Sequence, residues 1–75
     1  MEIALNELRL GQQGTVISLE APAGLLRRLH DLGMIPGTQV RCRYRTPCGK
    51  VTALDLRGSV IAMRTRDMKN IRVRC

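Results

Sequence analysis

The sequence predicts a mostly β fold: a small antiparallel β-barrel of about five strands, with one short α-helix between strands 1 and 2. The chain has 75 residues, which is enough for a single domain spanning residues 1–75. Over much of its second half, apolar and polar residues alternate with a period of two, as in strands with one buried face. A single helix cannot cover both faces of a parallel sheet, so we expect antiparallel strands that close on themselves and leave no exposed edge.

The predicted strands are short and are separated by turn residues. Thr15–Leu19 is rich in β-branched residues and forms the first strand. In the second strand Val40, Cys42 and Tyr44 alternate with arginines, which predicts that all three face inward. The remaining strands are predicted at residues 51–56, 60–63 and 71–74.

The helix is predicted over about residues 23–32. One of its faces carries leucines at helical spacing, and we expect most of them to pack on the strands: Leu25, Leu26, Leu29 and Leu32. Two shorter helical turns are also predicted. Asn6 is expected to cap the first of them and Thr65 the second.

The end of this helix has the residues of a sharply defined corner. Gly33 stands where a positive φ would close the helix, which makes Leu29 and Met34 the contact pair of a Schellman ending. Pro36 and Gly37 then suit the two central positions of a type II turn. We therefore expect the helix to turn directly into the second strand.

The chain is strongly basic, with a net charge of +7 and a pI near 10.7. This balance is compatible with an acidic protein partner, an anionic membrane surface or nucleic acid, and does not choose among them. No apolar run approaches the roughly 20 residues that cross a bilayer, and the N-terminal segment lacks a signal-peptide pattern. We therefore expect a cytoplasmic protein whose three cysteines are reduced thiols.

Residues 29–37 fit the pattern Leu-x-x-Leu-Gly-hydrophobic-x-Pro-Gly, which resembles the signature of the FeoA family of ferrous iron transport proteins. The resemblance continues in order along nearly the whole chain, through residues 8–16, 47–49, 56–58, 61–64 and 71–73. It implies an SH3-like barrel without catalytic residues or a cofactor. It also implies an accessory role for the FeoB permease, a membrane protein with a cytoplasmic GTP-binding domain, and so a location in the cytoplasm or at the inner membrane face.

The residues themselves also argue against an enzyme, because there is one histidine and no glycine-rich phosphate loop. Cys42, Cys48, Cys75 and His30 are the candidates for a metal site. Their spacing lies outside the usual Cys-x₂₋₄-Cys pattern, and Cys42 alternates into the buried face, so we expect no metal site.

The alternative function is a small basic barrel that binds nucleic acid. Arg41, Arg43 and Arg45 are expected to share one strand face. Single-strand binding normally uses stacking aromatics, and the only aromatic residue is Tyr44, which the alternation turns inward. On this reasoning nucleic acid is not the expected partner.

The helix and the turn after it are the predicted partner-binding surface. One helix over a small barrel cannot bury every apolar side chain of this segment, so Leu26, Met34 and Ile35 are expected to stay exposed beside Arg27 and Arg28. An exposed apolar patch bordered by charge is typical of a docking site. This surface is the one expected to contact the permease.

Overall fold

The computed structural model describes all 75 residues, Met1–Cys75, as one six-stranded antiparallel sheet, one α-helix and two 3₁₀ turns. The strands are β1 (Glu2–Ala4), β2 (Gln13–Leu19), β3 (Gln39–Arg45), β4 (Val51–Leu56), β5 (Ser59–Arg64) and β6 (Ile71–Arg74). Helix α1 spans Ala23–Asp31, and the 3₁₀ turns span Leu5–Glu7 and Thr65–Met68. No helix has the length and apolar character needed to span a bilayer.

The strands are hydrogen-bonded in the order β1-β6-β2-β3-β4-β5. The predicted barrel of about five strands is therefore wrong in two respects: β1 is a sixth strand, and the sheet is not closed by hydrogen bonds between β1 and β5. Strand β1 has only three residues, too few for an alternation to be recognised, and pairing with β6 defines it. Because β1 precedes the predicted first strand, α1 lies between the second and third strands in chain order.

The core is aliphatic, as the composition predicts. It is a cluster of 12 buried residues from the sheet, α1, the two 3₁₀ turns and the connecting segments. They are Leu5, Leu8, Val16, Leu29, Met34, Val40, Cys42, Leu54, Leu56, Met68, Ile71 and Val73. Because no aromatic side chain contributes, the fold depends on many small contacts between aliphatic groups.

The corner after α1 has the predicted geometry. The Met34 N–H donates to the Leu29 carbonyl at 2.9 Å and the Gly33 N–H donates to the His30 carbonyl at 3.0 Å, which is the Schellman pattern. Gly33 has a φ of +93° and Gly37 a φ of +94°. The Thr38 N–H closes the type II turn on the Ile35 carbonyl at 3.0 Å.

The predicted caps of the short helical turns are wrong. Glu7, not Asn6, satisfies the start of the first turn, since its carboxylate accepts the Ala4 N–H at 2.9 Å, while Asn6 Oδ1 is buried without a partner. In the second turn Thr65 is a turn residue rather than the cap. Its hydroxyl lies 2.8 Å from the Thr52 hydroxyl in the partly buried interior, so it is unavailable for capping.

A β-bulge in β3 reverses the predicted orientation of Tyr44. Cys42 pairs with Leu54 and Tyr44 pairs with the adjacent Ala53, so Arg43 is an extra residue in the strand. Tyr44 is therefore 55% exposed. Arg45 turns inward and does not share a face with the other arginines of the strand.

The inward guanidinium of Arg45 connects β3 to the first 3₁₀ turn and to β4. It donates to the carbonyls of Asn6 and Leu8 at 3.3 and 3.1 Å. It also donates to the Thr52 hydroxyl at 3.1 Å. A residue that the alternation assigns to a basic surface is thus part of the internal hydrogen bonding.

Candidate functional site

An open groove of about 760 Å³ lies between α1 and β5. Leu25, Leu29 and Leu32 line it from the helix side, and Ile61 and Met63 line it from the strand side. The predicted packing of the helix leucines is only partly correct, since Leu29 is buried but Leu32 is 45% exposed. An apolar lining that stays accessible to solvent is the feature expected of a docking surface.

The groove exists because β5 is an edge strand. Ile61 and Met63 face the same side of the sheet as their partners Leu54 and Thr52 on β4. Both β4 residues are fully buried, whereas Ile61 and Met63 are only partly buried. The difference follows from position, because β4 has a neighbour on each side and β5 has none beyond it.

Basic side chains border this apolar lining. Arg28 of α1 and Arg64 of β5 line the groove, together with the acidic Asp67. Neither arginine takes part in an ion pair within 4.0 Å, since the single ion pair of the structure joins Arg43 and Asp55. The groove therefore suits an apolar segment that carries acidic side chains.

The predicted docking residues do not form one exposed patch. Met34 is fully buried, so the expectation that it is exposed is wrong: the Schellman ending places it in the core beside Leu29. Leu26 is partly buried, and Ile35 is 42% exposed. Arg27 and Arg28 are exposed, but of the five predicted residues only Arg28 lines the groove.

Sequence reasoning missed the strand side of the groove. Ile61 and Met63 alternate with exposed residues, as in any strand with one face inward. That pattern is the signal for which residues face inward. The pattern does not show whether a further strand lies beside them. No further strand lies beside β5, and Ile61 and Met63 are therefore accessible to solvent.

The structure does not bring the candidate metal ligands together. Cys42 is buried, as predicted, and Cys48 and Cys75 are exposed free thiols. His30 is an exposed residue of α1. No three or more His, Cys, Asp or Glu side chains are grouped so that they could hold a metal ion.

Cys48 has a distinctive environment in the loop between β3 and β4. The Thr46 hydroxyl lies 3.5 Å from Cys48 Sγ. Hydrogen bonding by this hydroxyl, assisted by the Lys50 backbone, holds the pKa of the Cys48 thiol below its ordinary value. The lowered pKa increases the fraction of the Cys48 side chain that is present as thiolate near neutral pH.

The family of the chain follows from comparison with known proteins. The FeoA domain model matches residues 3–75. The chain belongs to the FeoA family. Among proteins with curated functions, none matches the sequence of this chain.

Three FeoA structures have the same fold as this chain. The Chlorobium tepidum FeoA protein is 29% identical with a TM-score of 0.92, over 96% of this chain and 69% of that one. The FeoA-like protein of Clostridium acetobutylicum is 30% identical with a TM-score of 0.85, over 96% and 84%.

The third is Stenotrophomonas maltophilia FeoA in complex with zinc, which is 28% identical with a TM-score of 0.82, over 95% of this chain and 88% of that one. It is described as an SH3 domain protein and as a candidate bacterial ferrous iron transport activating factor. The SH3-like fold that the sequence resemblance implies is therefore confirmed for this chain. The activating role is a description of that relative.

Proposed function

We propose that this chain is a non-enzymatic accessory protein of ferrous iron uptake, which binds the FeoB permease in the cytoplasm and modulates its transport or its GTP cycle. Membership of the FeoA family supports the iron-transport role. The observation that carries the binding role is the unpartnered groove between α1 and β5. An apolar lining with basic borders fits a protein partner better than a small substrate.

In this proposal the permease contributes an apolar segment with acidic neighbours. Its apolar side chains would contact Leu25, Leu32 and Ile61, and its carboxylates would face Arg28 and Arg64. Apolar contacts supply most of the affinity in such an interface, while the charges guide the approach and reject neutral or basic segments. The net charge of +7 adds long-range attraction towards an acidic surface and towards the anionic inner leaflet beside the permease.

The test is a calorimetric titration of the chain against the purified cytoplasmic domain of FeoB, with two matched variants. Leu32 and Ile35 are exposed to nearly the same extent, at 45% and 42%, but only Leu32 lines the groove. We expect Leu32→Asp to weaken binding at least tenfold and Ile35→Asp to leave it nearly unchanged. Both substitutions replace an exposed side chain, so circular dichroism should show an intact fold.

The same two variants also test the docking surface predicted from the sequence. Loss of binding in Ile35→Asp with normal binding in Leu32→Asp would move the docking site to the edge formed by Leu26, Arg27 and Ile35. Normal binding in both variants would reject both surfaces. The GTP hydrolysis rate of the permease domain, measured with and without the chain, reports on the proposed modulation separately from binding.

A further inference from the structure

We propose that the outer face of β3, β4 and β5 binds single-stranded nucleic acid, with Tyr44 as a stacking platform and a basic pocket beside it for a phosphate. This surface meets the groove at the edge of β5, since Val51, Ala62 and Arg64 line the groove as well. The bulge in β3 exposes Tyr44, the single aromatic side chain of the protein.

Tyr44 stands at the end of a flat row of small residues. It pairs with Ala53 on β4, which in turn pairs with Ala62 on β5. Neither alanine side chain rises far enough from the sheet to cover the ring, which is 55% exposed. An accessible ring over a flat surface allows an unpaired base to stack on it, whichever of the bases it is.

A pocket of about 610 Å³ lies at the end of β4 and β5 and is lined by Lys50, Arg64 and Arg66. Val51 lines this pocket too. Val51 and Arg64 form a cross-strand pair, and this pair is the next row on the same face of the sheet after Ala53 and Ala62. Two residues along a strand span about 7 Å, so the pocket and the tyrosine row adjoin on one surface. A short length of nucleic acid could contact both.

The cations of this pocket have no partner within the protein. The side chains of Lys50, Arg64 and Arg66 form no ion pair within 4.0 Å, and no intramolecular hydrogen bond involves them. The one acidic residue in β3, β4 and β5 is Asp55, and Arg43 holds it with bonds of 3.0 and 3.3 Å. The three cations are therefore free to neutralise phosphates, which is the main source of affinity for nucleic acid.

The experiment uses the fact that Tyr44 is the only fluorescent side chain, because the chain has no tryptophan. Titration of the full chain with a twelve-residue oligothymidylate at physiological salt should quench its tyrosine fluorescence. Three phosphate contacts on a single strand predict a slope of about −2 in a plot of log affinity against log salt.

Variants locate the binding surface by anisotropy of a labelled oligonucleotide. Tyr44→Leu should weaken binding by about tenfold or more, the range expected for loss of one stacked base. Replacement of Lys50, Arg64 and Arg66 by glutamine should remove most of the salt dependence. Arg74 lies on β6, outside the proposed surface, so Arg74→Gln is the control. This variant should bind the oligonucleotide as the unaltered chain does.

Three outcomes would overturn the proposal. The first is the absence of quenching at physiological salt. The second is binding that neither the Tyr44 variant nor the triple glutamine variant changes. The third is binding of phosphatidylglycerol vesicles through these same residues while the oligonucleotide binds no more tightly than inorganic phosphate, which would assign the face to a lipid surface.

Discussion

Arg57 lies over Gly33: a Cβ atom on Gly33 would be 3.1 Å from Arg57 Cδ. This contact joins the corner after α1 to the turn between β4 and β5, where both Arg57 and Gly58 have a positive φ, as in a two-residue hairpin turn. The Arg57 guanidinium also lies 3.5 Å from the Thr38 hydroxyl, which accepts the Ile35 N–H and donates to the Gly33 carbonyl. The corner is thus fixed by a neighbouring hairpin as well as by its own turn residues.

Replacing Gly33 by alanine should destabilise the protein. The φ of +93° disfavours any side chain by about 1–2 kcal/mol, and the contact with Arg57 adds to that cost. Urea unfolding followed by far-ultraviolet circular dichroism measures the effect. The matched control is Gly24→Ala in α1, where a Cβ meets nothing within 4 Å and a gain of roughly 0.5–1 kcal/mol is expected. Equal stability of the two variants would contradict this account of the corner.

The leucines of α1 should differ sharply in their effect on folding. Leu29 is 2% exposed, so Leu29→Ala should lower the free energy of unfolding by about 2–5 kcal/mol. Leu32 is 45% exposed in the groove, so Leu32→Ala should lower it by less than about 1 kcal/mol. The same unfolding measurement compares them. A large loss for Leu32→Ala would mean that this side chain supports the fold, and would remove it from the proposed docking surface.

Arg45 and Arg43 are two positions apart on β3 and should respond differently to replacement by methionine. Arg45→Met leaves the carbonyls of Asn6 and Leu8 without their donor, which should cost roughly 1–3 kcal/mol. Arg43→Met breaks only the exposed ion pair with Asp55, for which a loss below about 1 kcal/mol is expected. Thermal or urea unfolding distinguishes the two, and a reversed order would contradict the inward orientation of Arg45.

Cys48 should be alkylated by iodoacetamide at a lower pH in the unaltered chain than in the Thr46→Val variant. The Thr46 hydroxyl stabilises the thiolate, which lowers the pKa of Cys48. A larger fraction of the Cys48 side chain is therefore thiolate at a given pH. Thr46→Val removes that hydroxyl and should move the rate profile of Cys48 to higher pH. Mass spectrometry of the labelled peptides follows each thiol separately, with Cys75 as the internal control and Cys42 protected by burial. Identical profiles for Cys48 before and after the substitution would contradict the assigned cause.

Sequence reasoning succeeded best where one residue type has few conformational options. Gly33 and the Pro36-Gly37 pair specify positive or restricted φ values, and the corner has the geometry that they predict. Strands β4 and β6 also begin and end as predicted, since clear turn residues bound them.

The failures share a different cause, because they depend on contacts between distant parts of the chain. Pairing with β6 defines β1, and pairing with β4 creates the bulge that exposes Tyr44. The exposure of Leu32 likewise follows from how α1 lies over an open sheet, not from helical spacing. The burial of Met34 is the exception, because it follows from the local Schellman ending. The groove itself was beyond prediction, since no local pattern identifies β5 as an edge strand.

The bulge at Arg43 also has a consequence for changes in chain length. Because Arg43 is the extra residue in its strand, deleting it would leave Cys42 inward, Tyr44 outward and Arg45 inward, as they are now. At a regular strand position a one-residue deletion reverses the facing of every side chain on one side of it. Position 43 is therefore where β3 can lose a residue and keep both its core and its outer surface.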